Sequence, residues 1–474
     1  MAASDADTII ARASGAGRAG VAVFRLSGPS ARAIGARLCG ALPPPRRAGL
    51  RRICGADGEL LDRGLAILFP APASFTGEDV VELHLHGSVA VARAVLEAAL
   101  AAGARPAEPG EFTRRALLNG RLDLAEAEGL ADLIDSETAA QRKQALGLFG
   151  GRLSRLAEGW RERLIDAAAP LEASVDFPDE ADIPVLIEAS AVPAIRVLRA
   201  ELEEFRSTAA RARSIREGVR IAIIGAPNAG KSSLLNRLSG DDRAIVSETP
   251  GTTRDVLAVR LDLGGVLATL FDTAGIRADA ADPIEREGMR RARQVADEAD
   301  IRIMVVDVSR ETLAPIEAAA LRPGDLLVAN KADLARRAQK WIPVSREKAR
   351  QNNDLIIGRD SEITPNDLGG AFSLTDHRIS ALTGEGVDAL VADLAIKAQA
   401  AMGDGDLPVA HARHADAVSR AIAALDRAEK MAPRQPELAA EDMRLAARAL
   451  GEITGAVRTE DLLDRIFSRF CIGK

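Results

Sequence analysis

The chain has 474 residues, with 62 Lys and Arg against 69 Asp and Glu, a formal net charge of -7 at pH 7. That length exceeds one ordinary core and predicts about three domains, while the acidic balance excludes a generally basic, sequence-blind nucleic-acid binder and leaves room only for a local basic face. Hydrophobic residues make up 47% but aromatics only 3%, with no Tyr, so the cores must be built from Leu, Ile, Val and Ala, and the composition is not that of a disordered chain.

Cys39, Cys54 and Cys471 have no metal-ligand spacing and cannot form an even disulfide framework, which favours a reducing cytosol. The opening "MAASDADTII" lacks a basic region followed by a long apolar one, and no apolar stretch reaches membrane-spanning length. A soluble, cytoplasmic protein is expected.

Residues 1 to about 118 alternate apolar runs, "GVAVFRLSG", "GLAILF" and "DVVELHLHG", with Gly- and Pro-containing turns and one helical stretch, "VAVARAVLEAALAAGA". The pattern predicts a small α+β domain. His84 and His86 share one strand face, but without a third ligand they are read as structural or surface histidines rather than a metal pair. From 119 to 217 the chain is Ala- and Leu-rich and helical, broken at "VDFPDEADIP". Residues 218 to about 398 alternate strand-like runs ("RIAII", "LATLFD", "IRIMVVD", "DLLVAN") with helical ones, the pattern of a parallel α/β sheet. Within it, 334 to 379 is weakly periodic and no element is predicted there. Residues 399 to 474 are helical again. The last helix carries Leu462, Leu463, Ile466, Phe467 and Phe470 on one face, with Thr459 as N-cap and Glu460 and Asp461 in its first turn. Amphipathic helices on both sides of the α/β segment lack enough partners of their own. The two helical stretches are therefore expected to pack together as one discontinuous domain, with the α/β domain inserted.

The strongest chemical signal is "RIAIIGAPNAGKSSLLNRLSG". An apolar strand runs into Gly225-x-x-x-x-Gly230-Lys231-Ser232, which opens a helix, the context a phosphate-binding loop requires. Glycines let backbone N–H groups curl round phosphates, with Ala229 and Ser233 in the same cradle. Lys231 reaches the outer phosphates, and the Ser232 hydroxyl ligates Mg²⁺. In "VANKADL", Asn330-Lys331-x-Asp333 follows a strand. An aspartate there accepts two hydrogens from the N1 and N2 edge of guanine, a donor pair that adenine lacks. Alone the motif is equally a helix start, but downstream of a P-loop it points to GTP. "ISALTGEG" resembles the loop whose Ser380, Ala381 and Leu382 backbone supports the base.

Between these, "LATLFDTAG" ends a strand at Asp272, a direct or indirect Mg²⁺ partner. Thr273, Ala274 and Gly275 follow, and the Gly275 N–H can meet the γ-phosphate. "SETPGTTRD" supplies Ser247, Glu248, Thr249, Pro250, Gly251, Thr252 and Thr253, a loop whose threonine hydroxyls can close over Mg²⁺. One position departs from the Ras pattern, in which a Gln after Asp-x-x-Gly orients the attacking water: here Ile276 holds that slot. Arg277, Asp279, Asp282 and Glu285 are nearby polar candidates that composition does not rank, and no Arg declares itself as a finger. A monovalent cation at Asn228 is an alternative; Asn228 is otherwise a turn residue. The terminal "CIGK" fits a prenylation box poorly, because Gly473 and Lys474 occupy its last two slots. No membrane anchor is expected, and the Cys471 thiol is either incidental or held beside a ligand.

End to end, the chain resembles the MnmE (TrmE) tRNA-modification GTPases. The resemblance rests on "GRAGVAVFRLSG", "SFTGEDVVELHLHG", "RPAEPGEFTRRALLNGRLDLAEAEGLADLID", "DFPDE", "GAPNAGKSSLLN", "AIVSETPGTTRD", "DTAGIR", "NKAD" and "FCIGK". It implies an N-terminal α+β domain that binds folate and forms a homodimer, a discontinuous α-helical domain, and an inserted Ras-like α/β P-loop G domain. It implies a flavoprotein partner, MnmG (GidA), which carries FAD in a heterotetramer with this chain and acts on tRNA. Together they install a carboxymethylaminomethyl or aminomethyl group at C5 of the wobble uridine, using GTP and 5-formyl- or methylene-tetrahydrofolate. By the same resemblance, folate contacts fall on Arg25, Glu82, Arg121 and Lys474, with Arg121 standing where the family often has Lys. Hydrolysis is activated by K⁺-dependent G-domain dimerisation, with K⁺ held by Asn228, Ser247, Thr249 and Thr252. Mg²⁺ falls on Ser232 and Thr253, and Glu285 orients the attacking water. Cys471 would lie near the one-carbon unit. A ribosome-assembly or membrane-associated GTPase switch is the competing reading, and such a switch needs neither the folate residues nor the thiol.

Overall fold

The computed structural model describes residues 7–176, 182–241, 243–245, 258–272, 294–308, 325–334, 376–402 and 411–456, together with 463, 466, 467, 470 and 473. The chain divides into two compact units: Met1–Ile134, Leu146–Arg206 and Arg413–Lys474 form one, Asp135–Ala145 and Ser207–Ala412 the other.

The first unit begins with a sheet of β1 (Ile9–Arg12), β2 (Ala19–Ser27), β3 (Gly49–Cys54), β4 (Leu60–Phe69), β5 (Val80–Gly87) and β6 (Arg105–Pro106), in the order β3-β4-β5-β2-β1-β6. Side-chain alternation puts Phe24, Leu26, Val81, Leu83 and Leu85 into a core with Ile34 and Leu38 of α1 (Ala31–Cys39) and Val95 and Ala99 of α2 (Val89–Ala101). The opposite face is left to Arg25, Glu82 and His84.

Under the edge strand β6, Glu111 opens α3 (Glu111–Leu118) and accepts from both Arg105, at 2.6 and 2.9 Å, and Arg115, at 3.1 Å. Burial would push this carboxyl up, but the bonds from Arg105, the Glu108 N–H and Arg115 outweigh it and hold it below its ordinary value of 4.5. A depressed folded-state pKa stabilises the fold above the unfolded value, and that contribution is lost as pH falls through the folded one. Glu111→Gln should therefore lower stability at pH 7 by about 3 kcal/mol. The gap to wild type in urea midpoint should close as pH drops below 4.5. A gap that stays constant with pH would mean that the carboxylate charge plays no part.

The helices α4 (Leu124–Asp135), α5 (Ala139–Phe149), α6 (Arg152–Asp176) and α7 (Asp182–Leu186) follow, and a π-helical turn over Ile187–Ala191 leads into α8 (Val192–Ser207). The second unit carries α9 (Ala209–Glu217), β7 (Val219–Ile224), α10 (Lys231–Ser239), β8 (Ala258–Asp262), β9 (Leu267–Asp272), β10 (Ile301–Asp307), β11 (Leu326–Asn330), β12 (His377–Arg378) and α11 (Val387–Met402). The chain then returns to the first unit through α12 (Ala412–Met431) and α13 (Pro436–Thr454). As expected from the unpartnered apolar faces, the early and late helices pack together. Arg444 of α13 pairs with Glu172 of α6 at 2.6 Å, and Arg196 of α8 with Glu429 of α12 at 2.9 Å. Trp160 stacks edge-on to Phe205 at 4.8 Å. Leu463 and Phe467 are buried against Leu117, Leu124 and Ala127, with Ile466 and Phe470 at the margin. Phe470 sits in a bend rather than on the helix, and Thr459, Glu460, Asp461 and Leu462 lie outside the described residues.

The second unit's sheet has the order β12-β11-β10-β7-β9-β8, parallel except for β8. Its strands are apolar on both faces. Ile221, Ile223, Val305 and Val328 pack against Leu234 and Leu238 of α10 and Leu390 of α11, while Ala222, Met304 and Val306 face the other way. β7 has β10 on one side and β9 on the other, so the segments leaving the carboxyl ends of these strands gather on one edge, where open α/β sheets bind ligands.

Candidate active site

β7 ends at Ile224, and Gly225 turns the chain at φ +144°, where any side chain would strike the Val305 carbonyl. Only glycine lets the loop begin so close to β10. Asn228 takes φ +65°, uncommon for a residue with a Cβ, and Gly230, at φ +94°, starts α10. Lys231 is buried, and its Nζ donates to the carbonyls of Gly225 and Ala226 at 2.8 Å each, folding the ammonium into the loop. The Ser232 hydroxyl donates to Asp272 Oδ2 at 2.7 Å. The two side chains read as Mg²⁺ partners thus converge from α10 and β9.

Asn330, at the end of β11, is the structural staple of the site. Its Nδ2 donates to the Ala229 carbonyl at 2.9 Å, and its Oδ1 accepts from the Ala381 N–H at 3.0 Å, so one buried amide ties the phosphate loop to the 380–382 loop. Asp333 Oδ1 accepts from the Ser380 hydroxyl at 2.6 Å, and Ser380 Oγ accepts in turn from the Thr383 N–H at 3.1 Å, fixing the carboxylate's rotation. Leu382 stands exposed at the rim. Lys331 has φ +67° and pairs through Nζ with Asp307 at 2.6 Å. Asp307 was not singled out from the sequence. The available signal was its place at the end of β10, matching that of Asp272 at the end of β9.

Ser247, Glu248, Thr249, Pro250, Gly251, Thr252, Thr253, Thr273, Ala274, Gly275 and Glu285 lie outside the described residues, as do Cys471 and Lys474.

In the first unit, Arg25 on β2 and Glu82 on β5 are register partners joined at 2.9 Å, and His84 Nε2 lies 3.1 Å from the second Glu82 oxygen. The Arg25 guanidinium lies 5.4 Å from the Phe75 ring and 5.7 Å from Phe112, a cation held between aromatic rings. Arg121 is exposed, and its Cγ lies 3.3 Å from where a Cβ on Gly77 would stand. The turn from Phe75 to Gly77 therefore touches both arginines. Gly473, at φ +101°, lies so close to β1 that a side chain there would collide with the Arg12 carbonyl and stand 3.0 Å from the Ala13 Cα. β1 pairs Ala11 with Arg25, so Gly473 lies against the strand next to the Arg25–Glu82 pair. His86 pairs with Asp62 at 2.8 Å, and no metal-holding cluster occurs among the described residues.

A phosphate loop, a strand end of guanine type and a serine-braced aspartate, all drawn together by one asparagine, are the arrangement of a Ras-like P-loop GTPase. The family model for the MnmE helical domain matches residues 124–471, a span that runs through the second unit, and the model for the GTP-binding protein TrmE N-terminus matches 8–121. Curated relatives described as "tRNA modification GTPase MnmE" include those of Parvibaculum lavamentivorans, 51% identical over 474 residues, and Caulobacter vibrioides, 48% identical over 469 residues. In both cases the match covers 99% of this chain and 100% of the relative. The solved G domain of the T. maritima FeoB iron transporter is 21% identical, aligned over 38% of this chain and 99% of that one, with a TM-score of 0.25. The chain belongs to the MnmE family.

Proposed function

We propose that this chain is the GTP-hydrolysing subunit of a tRNA wobble-uridine modification complex. GTP and Mg²⁺ bind at the Gly225–Ser233 loop, with the base read by Asp333 and the 380–382 loop. In this reading the Arg25–Glu82 pair, with Arg121 and Lys474, holds a formyl- or methylene-tetrahydrofolate as one-carbon donor. Cys471 acts near that carbon, and the FAD of an MnmG-type flavoprotein supplies the redox step. K⁺ bound by Asn228 and the 247–252 loop promotes G-domain dimerisation, and Glu285 orients the attacking water. The homodimer forms through the N-terminal domain.

One observation favours chemistry over a pure switch: Gly473 is seated against β1, one strand from the Arg25–Glu82 pair. A switch that only hydrolyses GTP has no use for that segment beside the Arg25–Glu82 pair. Among the described residues no helix is long and apolar enough to cross a membrane. The test is complementation of a deletion strain with Cys471→Ser, read by mass-spectrometric nucleoside analysis of its tRNA. The modified uridine should be absent, although the purified variant hydrolyses GTP in K⁺ buffer and, like wild type, slows when Na⁺ replaces K⁺. Restored modification would return Cys471 to a structural role, and a rate indifferent to the cation would remove K⁺ from the scheme.

A further inference from the structure

Arg237 lies on α10, two turns beyond the phosphate loop, and belongs to no motif. Its Nε donates to the Ala381 carbonyl at 3.2 Å, and its terminal guanidinium nitrogen donates to the Leu382 carbonyl. Gly384 packs against the same group, since a Cβ there would stand 3.6 Å from the guanidinium carbon. Arg237 also lines an open cavity of about 630 Å³ with Ser233, Asn236, Asp241 and Asp388. Core packing therefore does not set its orientation; the two carbonyls do.

A trans peptide is planar, so the C=O of one residue and the N–H of the next point in opposite directions. With the carbonyls of Ala381 and Leu382 both drawn towards Arg237, the N–H groups of Leu382 and Thr383 must face the other way. The Thr383 N–H does so, donating to the Ser380 hydroxyl that braces Asp333. The loop's donor edge is thus turned to the side on which Asp333 stands. Asn330 holds the Ala381 N–H from a third direction.

We infer that Arg237 is a positioning residue for base recognition: by gripping two consecutive carbonyls from the phosphate-binding helix, it presents the donor edge of the 380–383 loop to the 6-oxo group of a purine whose N1 and N2 edge meets Asp333. The inference rests on the guanine-nucleotide reading proposed above. Arg237 touches the loop rather than the nucleotide, so its effect should fall on base discrimination.

The test compares the full chain with its Arg237→Ala and Arg237→Lys variants by calorimetric binding at pH 7 of GDP, of ADP and of 6-thioguanosine diphosphate, which keeps the N1–H and N2 donors but carries sulfur, a poorer hydrogen-bond acceptor, in place of O6. Arg237→Ala should weaken GDP about tenfold, the worth of one good hydrogen bond to the base. The 6-thio analogue should change less than twofold, so preference for the 6-oxo group falls. Arg237→Lys, with a point charge able to hold one carbonyl, should restore part of that preference. Equal weakening of both nucleotides would make Arg237 a mere support of the domain and overturn the inference, as would an unchanged GDP affinity. If wild type itself failed to prefer GDP over ADP, the guanine reading beneath the inference would fall instead.

Discussion

Asp333→Asn should lower GTP affinity by roughly a thousandfold and transfer the preference to xanthosine triphosphate. The carboxylate is not free to rotate, because the buried Ser380 hydroxyl holds Oδ1 at 2.6 Å and is itself fixed by the Thr383 N–H. A guanine base offers two donors, N1–H and the N2 amine, and a charge-assisted bond to each is worth about 1.5–3 kcal/mol. Losing both costs about 4 kcal/mol, which at 1.4 kcal/mol per decade is the stated factor. In the Asp333→Asn variant the amide oxygen would remain with Ser380, which must donate to it, leaving an N–H₂ group facing the guanine amine, donor against donor. Xanthine has a carbonyl at that carbon, so the same amide then finds an acceptor. Competition binding with the two triphosphates checks this. Uniform weakening of both would mean that Asp333 serves only to brace Ser380, and Ser380→Ala would then produce the same loss.

The nucleotide half of this site was legible in the sequence because its chemistry is local. Gly225, Gly230, Lys231 and Ser232 fall within one loop and helix start, and Asn330 to Asp333 within one strand end. What the sequence did not show is how these pieces meet. Asn330 is named by its motif for the base, yet in the structure its amide bridges Ala229 and Ala381, a link across 101 and 51 positions of chain. Arg237 left no trace, since an Arg on an exposed helix face is ordinary until the loop it grips is folded beside it. β1 and β6, of four and two residues, are too short to display a period. They exist because β2 and its neighbours offer an edge to pair with. The discontinuous helical domain was legible in outline, from apolar stripes lacking partners. The ion pairs that set its register join residues more than 200 positions apart, such as Arg444 and Glu172, and no pattern within either helix announces them.

The largest stability effect should come from Arg413→Ala, at a point where the first unit resumes after the second. Arg413 donates to both oxygens of Glu128, at 3.1 and 2.7 Å, and to the carbonyls of Glu452 and Ile453, which end α13. His414, fully buried, places Nε2 2.8 Å from the same Glu128. Removing one partner of so buried a pair strands the other's charge, a loss of about 3–5 kcal/mol. Arg413→Lys should recover only part, because one ammonium cannot span a carboxylate and two carbonyls. The consequence reaches the terminus. Glu128 sits on α4, whose Leu124 touches Gly455 beyond α13 and packs against Leu463 and Phe467, the anchors of the segment that carries Gly473. Loosening the end of α13 should therefore expose the tail to carboxypeptidase before the rest of the chain unfolds. Chemical denaturation measures the first effect and timed proteolysis the second. A double-mutant cycle with Glu128→Gln should show strong coupling, with the pair of changes costing clearly less than their sum. If the two costs simply added, Arg413 would act through the α13 carbonyls alone, and Glu128 would have to be stabilised by His414.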